Sequence, residues 1–351
     1  MQEPGARNPY EPGGHGTNMA PGCRPVVSAL LIALLVATPA LAHVPLFARD
    51  GSSPDQAFVV EDPTKSWVIY GTLPDGPATR YYRFRMEEGE RIYATLLAPR
   101  AGGFLPGMVL AGPGIGNSGT VPPYVAVPEG AGATAVPGNL PGQPEYEPFT
   151  PSKLYELARI DTAAPAAGDY TLAVYTPGEG GNYALALGYV ESYTPGEWVR
   201  VPIDVVAIHR HEEQPLLLIF APMIAVLAMG AALLLRRRRP LSPFALFAAI
   251  AGLLSIGSGA MTLMQMVVAA VGTDVGSALF LTLAFAVIPV LLGIAMLLVS
   301  FRRHIGAGER IAMAALGALA LVAWAGLVIG PVLAFIAAVL PARRHPPPRT
   351  T

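Results

Sequence analysis

Hydrophobic and polar positions divide this chain into two halves with different rhythms. Between His43 and Glu213 the apolar residues come in short runs, broken by Pro, Gly and charged positions. Ser66–Leu73, Thr79–Met86, Arg91–Ala98, Tyr170–Tyr175 and Tyr183–Val190 are rich in Val, Ile, Tyr, Phe and Thr and predict strands. In Tyr82-Arg83-Phe84-Arg85-Met86 apolar and basic residues alternate, as in a strand buried on one face. Glu87 to Glu90 predicts a polar turn into the next strand, and Thr176 to Asn182 a Gly-rich turn between two more. Helical periodicity shows in this half only over Pro151–Ala158. Strands at this spacing predict an all-β antiparallel sandwich, with Trp67, Tyr82 and Phe84 in its core.

From Leu216 to Leu340 the rhythm is lost in long apolar runs. Four transmembrane helices are predicted, near 216–235, 244–270, 278–300 and 311–340, each meeting the roughly 20 apolar residues that a bilayer requires. None of these runs contains Asp, Glu, Lys, Arg or His, and Gln265 is their most polar interior side chain. Pumps and active transporters need ionisable groups within the bilayer, so that class is disfavoured. Pro222 and Pro289 read as helix kinks. Gly326 and Gly330 form a GxxxG pair, and Ser255 and Gly259 a second small-xxx-small pair; such pairs admit close helix contacts, within the bundle or to a membrane partner.

Charge turns these two halves into a topology. His43–Glu213 holds twenty acids against eleven Lys plus Arg, and Gln214–Thr351 ten Arg against two acids, Asp274 and Glu309. The overall net charge of −1 therefore averages an acidic half and a basic half. An acidic soluble half argues against nucleic acid as a partner. Arg236–Arg239 closes the first span and Arg302–Arg303 the third, which predicts that both are cytoplasmic and that the first half is exported. Four spans would leave Arg343 and Arg344 on the outer side, against this rule; a break at Gly330-Pro331 would remove the conflict.

The N-terminus fits export. Arg24 is a sparse positive region, Val26–Val36 an apolar stretch, and Ala40-Leu41-Ala42 a small-x-small cleavage motif, so 1–42 is predicted to be a signal peptide, with Met19 an alternative start. An uncleaved first helix is the competing reading. Cys23 is the single cysteine and precedes the apolar stretch, so the exported domain is expected to have no disulfide. Within residues 43–213, the segment 99–150 is dense in Gly and Pro and predicts a long insertion across one edge of the sandwich, with disorder as its alternative. Phe104, Leu105, Met108, Val109 and Leu110 favour packing for part of it. Residues 341–351 form a polar tail.

The segments WVIYG (67–71), YYRFRMEEGER (81–91), GDYTLAVY (168–175) and NYALALG (182–188) carry a family resemblance. Together they are similar to the pre-peptidase C-terminal (PPC) type of β-sandwich, over about 60–190 and interrupted at 99–150. This resemblance implies an accessory or binding module of the kind that accompanies exported enzymes, and it brings no catalytic residue. The whole architecture also resembles archaeal and bacterial proteins in which an exported sandwich precedes several membrane helices.

Candidate chemistry is sparse. Gly112-Pro113-Gly114-Ile115-Gly116 lacks the Lys-Ser/Thr of a phosphate loop and reads as a turn. No Ser/His/Asp or Cys/His set and no Gly-x-Ser-x-Gly motif is present, so a non-enzymatic role is expected. Glu61, Asp62 and Asp75 match no calcium cage and read as solvated loop acids. The histidines point to one specific chemistry. Cleavage after Ala42 would make His43 the mature N-terminus, with an amine and an imidazole together. His209 and His211 lie just before the first span, and in an extended segment i and i+2 share a side. The three resemble a histidine-brace copper site, and Cu(II) suits such nitrogen ligands. Two readings result: a membrane-anchored, exported, non-enzymatic binding or accessory module within a membrane complex, or a copper-binding membrane protein. The expected partners are the lipid bilayer and, through Gly326 and Gly330, another membrane protein.

Overall fold

The structure, a computed structural model, describes residues 43–48, 51–237 and 240–340. The predicted signal peptide with Cys23 and its cleavage motif, Arg238, Arg239 and the tail 341–351 lie outside the described residues.

The alternation around Tyr82 to Met86 produces what it predicts. β3 (Trp67–Leu73), β4 (Ala78–Met86), β5 (Arg91–Ala98), β10 (Gly168–Thr176) and β11 (Gly181–Leu187) match the five predicted strands. In β4, Tyr82, Phe84 and Met86 are buried while Arg83 and Arg85 are exposed. Six further strands complete the sandwich: β1 (Val44–Phe47), β2 (Phe58–Val59), β6 (Gly107–Gly112), β7 (Gly132–Val136), β8 (Glu145–Glu147) and β9 (Ser152–Ala163). One sheet has the order β1-β3-β11-β5-β9-β8 and the other β2-β4-β10-β6-β7. The turns after β4 and β10 are therefore corners that pass the chain between sheets. Strand β4 pairs with β10 in one layer and β5 with β11 in the other. Ile69, Tyr82, Phe84, Leu96, Leu110, Tyr170 and Leu185 fill the space between the layers, and the hydroxyls of Tyr82 and Tyr183 meet there at 2.6 Å. Trp67 is only partly buried at its margin.

Several expectations are corrected. The sandwich is mixed, because β1 pairs with β3, and β2 with β4, in parallel. The chain from β1 to β4 alternates between sheets, so each next-but-one strand returns in the same direction to the same layer, the crossover that parallel pairing needs. The segment 99–150 carries β6, β7 and β8, and β6 is buried along its whole length between β10 and β7. Its remaining loop covers a sheet face, where Val121, Tyr124 and Val125 pack on Tyr81, Ala173 and Tyr175. Pro151–Ala158 is not helical: Pro151 ends a turn, and Ser152–Ala158 belong to strand β9. The reason is a bulge: the register with β5 shifts between Leu96 and Leu97, so Leu157 and Ala158 are both buried and the alternation breaks.

A helix follows the last strand. α1 (Pro195–His211) opens on a capping box in which Thr194 and Glu197 bond each other's backbone N–H. Lys65 in the sandwich donates to both oxygens of Glu197, at 2.8 and 2.9 Å. Ile208 of α1 packs on Val68, Tyr70, Ala184 and Ala186, the outer face of the first sheet. His209 and His211 are thus helical, and the shared side of an extended segment does not apply to them.

Among the described residues, three helices are long and apolar enough to cross a membrane: α2 (Leu216–Leu235), α3 (Pro243–Ala270) and α4 (Ala278–Ser300). α3 is central, in contact with α2, α4 and the last helix. Its Gly252 faces Gly293 of α4 so closely that a Cβ on either would strike the other's carbonyl oxygen. Ser255 and Gly259 likewise serve packing inside the bundle, Gly259 against Ala286 of α4. The fourth predicted span, 311–340, is not one helix. It divides into α5 (Ala307–Val322) and α6 (Ile329–Val339), and α6 folds back so that Ala334 packs on Gly317. At about 1.5 Å per residue these reach only ~24 and ~16 Å, short of the ~30 Å hydrocarbon layer. Trp324, Gly326, Leu327 and Val328 make the turn with φ of 54°, 77°, 54° and 66°. Left-handed backbone at non-glycine residues costs on the order of 1–3 kcal/mol each. Offsetting contacts are present: Gly326 N–H donates to Ser258 Oγ at 2.8 Å and the Trp324 indole to the Trp198 carbonyl at 2.9 Å. Gly326 and Gly330 are buried against Ser255 within this turn.

Candidate functional site

The sandwich stands directly on the ends of the helices. Tyr146 of β8 donates to Thr282 Oγ1 at 2.8 Å, and Thr282 donates onward to the Pro148 carbonyl at 2.7 Å. Phe149 lies 5.2 Å from Phe285 between ring centroids. Helix α1 completes the junction, with the Trp198 and Trp324 rings 4.4 Å apart. The arginines gather at the far end of the bundle, where Arg237 lies over the Phe301 ring at 3.7 Å and Arg302 pairs with Glu309 at 3.2 Å.

A cavity of about 160 Å³ lies where sheet, α1 and bundle meet. Its two ends differ in chemistry. At the sandwich end it is lined by His43, Glu147, Tyr193, Asp204 and His209. At the bundle end its walls are Ile219, Met261, Phe285, Pro289 and Leu327. Ser258, also lining it, precedes the α3 terminus at Ala270 by about 18 Å of helix, so the cavity extends well into the bundle.

Each polar group is held by a definable contact. Burial pushes the Glu147 carboxyl up to about 7, against the Phe149 N–H that supports its charged form and with the Glu212 carboxylate adding to the rise. Burial also raises Asp204, opposed by Arg200, whose guanidinium lies 3.6 Å away. Burial raises the Tyr193 phenol, reinforced by the carboxylates of Glu191, Glu197, Glu147 and Asp204, and its hydroxyl donates to the His43 carbonyl at 2.7 Å. His209 is almost wholly buried; its Nδ1 faces Glu212 Oε2 at 3.1 Å, while its Nε2 has no partner among the described residues. Gln265 is similar: its Nε2 donates to Gln214 Oε1 at 2.8 Å, and its buried Oε1 has no partner.

The three predicted copper ligands are placed differently. His43 and His209 line the same cavity. His43 is held by a hydrogen bond between its Nδ1 and Ser66 Oγ, and burial lowers its pKa. His211 is turned to the sheet, where Nε2 donates to the Tyr183 carbonyl at 3.1 Å and the ring meets Tyr70 edge-on. Among the described residues no three His, Cys, Asp or Glu side chains group as metal ligands would. Asp62 instead accepts from Thr64 and Lys65 in a turn, and Asp75 from the Gly180 N–H. Sequence reasoning missed Glu147, Asp204 and Tyr193. The one local signal available was Thr194-Pro-Gly-Glu197, which announces the helix that carries Asp204 and His209.

No family model matches the chain, and no curated protein matches it. Among solved structures, the chain is similar to PliG from Salmonella Typhimurium, a periplasmic lysozyme inhibitor of g-type lysozyme, at 15% identity and a TM-score of 0.22, over 38% of this chain and 97% of that one. PliG from Aeromonas hydrophila is similar at 16% identity and a TM-score of 0.23, over 41% of this chain and 97% of that one.

Proposed function

We propose that this chain is a membrane-anchored, extracytoplasmic, non-enzymatic binding module whose ligand site is the cavity between sandwich and bundle. The observation that carries this reading is the cavity itself, built jointly by β8, α1, α3, α4 and the α5–α6 turn, with polar groups at one end and apolar walls at the other. Such concave, mostly apolar sites with a few convergent polar groups are where small ligands bind. Three spanning-length helices and an acidic half opposite an arginine-rich end support anchoring with the sandwich outside. The PPC-like strand motifs accord with a binding role. Native mass spectrometry of the detergent-released full chain tests the reading: a bound small molecule is expected, and Thr262→Phe, which fills the cavity, should abolish it. A native chain that carries no such molecule and is stabilised by no amphiphile overturns it.

Copper is the second reading, favoured by His43 and His209 lining one cavity. Against it stands the contact of Ser66 with His43 Nδ1, the atom that a chelate with the mature amine would use. Metal analysis of the processed chain decides it: one copper per chain, lost in His43→Ala, is required.

A further inference from the structure

The cavity contains information about its ligand, because the groups left over inside it share one character. In the neutral ring of His209, with Nδ1–H given to the Glu212 carboxylate, Nε2 presents a lone pair. The Gln265 Oε1 is an acceptor as well, since the amide nitrogen is committed to Gln214. Both atoms are buried and unpartnered, and both residues line the cavity. A buried acceptor without a donor is costly, so two of them lining one cavity favour a ligand rich in N–H or O–H donors.

The charges set its sign. Glu147 and Asp204 line the cavity, and Glu212 stands behind His209; among the described residues no Lys or Arg lines it. Asp204 pairs with Arg200, whose head is mostly exposed, at 71%. Burial disfavours the charged forms of Glu147 and Asp204, an anion beside them would disfavour those forms further, and a cation would favour them. The apolar end requires a chain on the ligand, since Ile219, Met261, Phe285 and Leu327 offer no polar partner there.

Resting on the binding reading above, we infer that the cavity takes a primary ammonium carrying an apolar chain, with the ammonium among His209, Gln265 and the carboxylates and the chain directed into the bundle. A primary ammonium has three donors and no acceptor, matching the leftover groups. A quaternary ammonium has the charge without the donors, and an alcohol has a donor without the charge. The amine can come from the medium or as the headgroup of a membrane lipid; a lipid phosphate beside the ammonium would face Glu147 and Asp204, which favours a simple amine.

The test uses the full chain in non-ionic detergent and four decyl compounds of equal chain length: decylamine, decyltrimethylammonium, decanol and decanoate, with propylamine and a phosphatidylethanolamine as further arms. Titration calorimetry should give decylamine an affinity at least tenfold above each of the other decyl compounds and above propylamine. Glu147→Gln and Gln265→Leu should each lower decylamine affinity about tenfold and leave decanol unchanged. Tighter binding of phosphatidylethanolamine than decylamine would assign the ammonium to a lipid and retain its recognition. Equal affinity for all four decyl compounds, lost in Thr262→Phe, overturns ammonium recognition while the binding site stands. No binding of any of them, together with no co-purified molecule, overturns both. The ligand series on the native chain decides the matter even if a variant fails to fold.

Discussion

Arg310, at the start of α5, donates from Nη1 to the carbonyl of Ala338, near the end of α6, at 2.9 Å. Two residues that one continuous span would hold a bilayer apart are thus in direct contact. The chain leaves α6 on the same end of the bundle as Arg237, Arg302 and Arg303, and the charge conflict at Arg343 and Arg344 disappears. The break lies at Trp324–Val328, a little before the predicted Gly330-Pro331. Reporter fusions check this: a fusion after Thr351 should report the same compartment as one at Arg239, and the opposite compartment from one at Glu197. A C-terminal reporter on the Glu197 side would contradict the hairpin.

The sandwich core should be sensitive at Phe84, which is buried between the layers and stacks 6.2 Å from Tyr170. Phe84→Ala should cost roughly 3–5 kcal/mol of stability, as measured by denaturation of the purified chain. Arg83→Ala, one position away and exposed, is the control and should cost little.

The α3–α4 contact depends on the absence of side chains at Gly252 and Gly293. Gly293→Leu must push the two helices apart, because backbone atoms cannot yield as a side chain can. The expected result is a fall in thermal stability of the detergent-solubilised chain by several degrees and faster proteolysis of the 271–277 loop. Gly308→Leu, in open space at the start of α5, should leave both unchanged.

Glu147 titrates in the folded chain at about 7, against an ordinary 4.5. Between those values the folded chain keeps a proton that the unfolded chain has released, so this group's contribution to stability falls as pH rises. Asp204, also raised by burial, has the same sign. His43 and His211, lowered by burial, have the opposite sign and favour the folded chain as pH rises towards their ordinary 6.5. Glu147→Gln isolates the first effect. Its melting temperature should gain on that of the native chain as pH increases from about 4.5 to 7, with a constant difference below that range. A difference independent of pH would mean that the carboxyl is solvated.

What was legible in the sequence was local. Tyr82, Phe84 and Met86 alternate with arginines, so β4 and its kind could be read directly. The three long apolar helices followed from length and apolarity alone. What failed was set by distant partners. Leu154, Leu157 and Ala158 mimic helical spacing because β5 imposes a bulge upon β9. The parallel pairing of β1 with β3 depends on a detour through the other sheet. α1 carries Pro202 and many β-branched residues, which conceal a helix held by its cap and by the sheet beneath it. The cavity had no local signal, since its lining runs from His43 to Leu327 and exists only after the two halves meet.

Only Glu212–Pro215 separates α1 from α2, and the joint is fastened on all sides. Arg100 pairs with Glu213 at 2.6 Å, Asn182 donates to the His211 carbonyl at 2.6 Å, and Arg210 reaches the Gln214 carbonyl at 2.7 Å. Proteases cut where exposed chain can be drawn out, and this joint has no stalk to draw. The sandwich therefore has no stalk at which to be cut from the helices and no tether on which to swivel away from them. Under the proposed orientation, a ligand of the cavity would have to come to the bilayer surface to meet it.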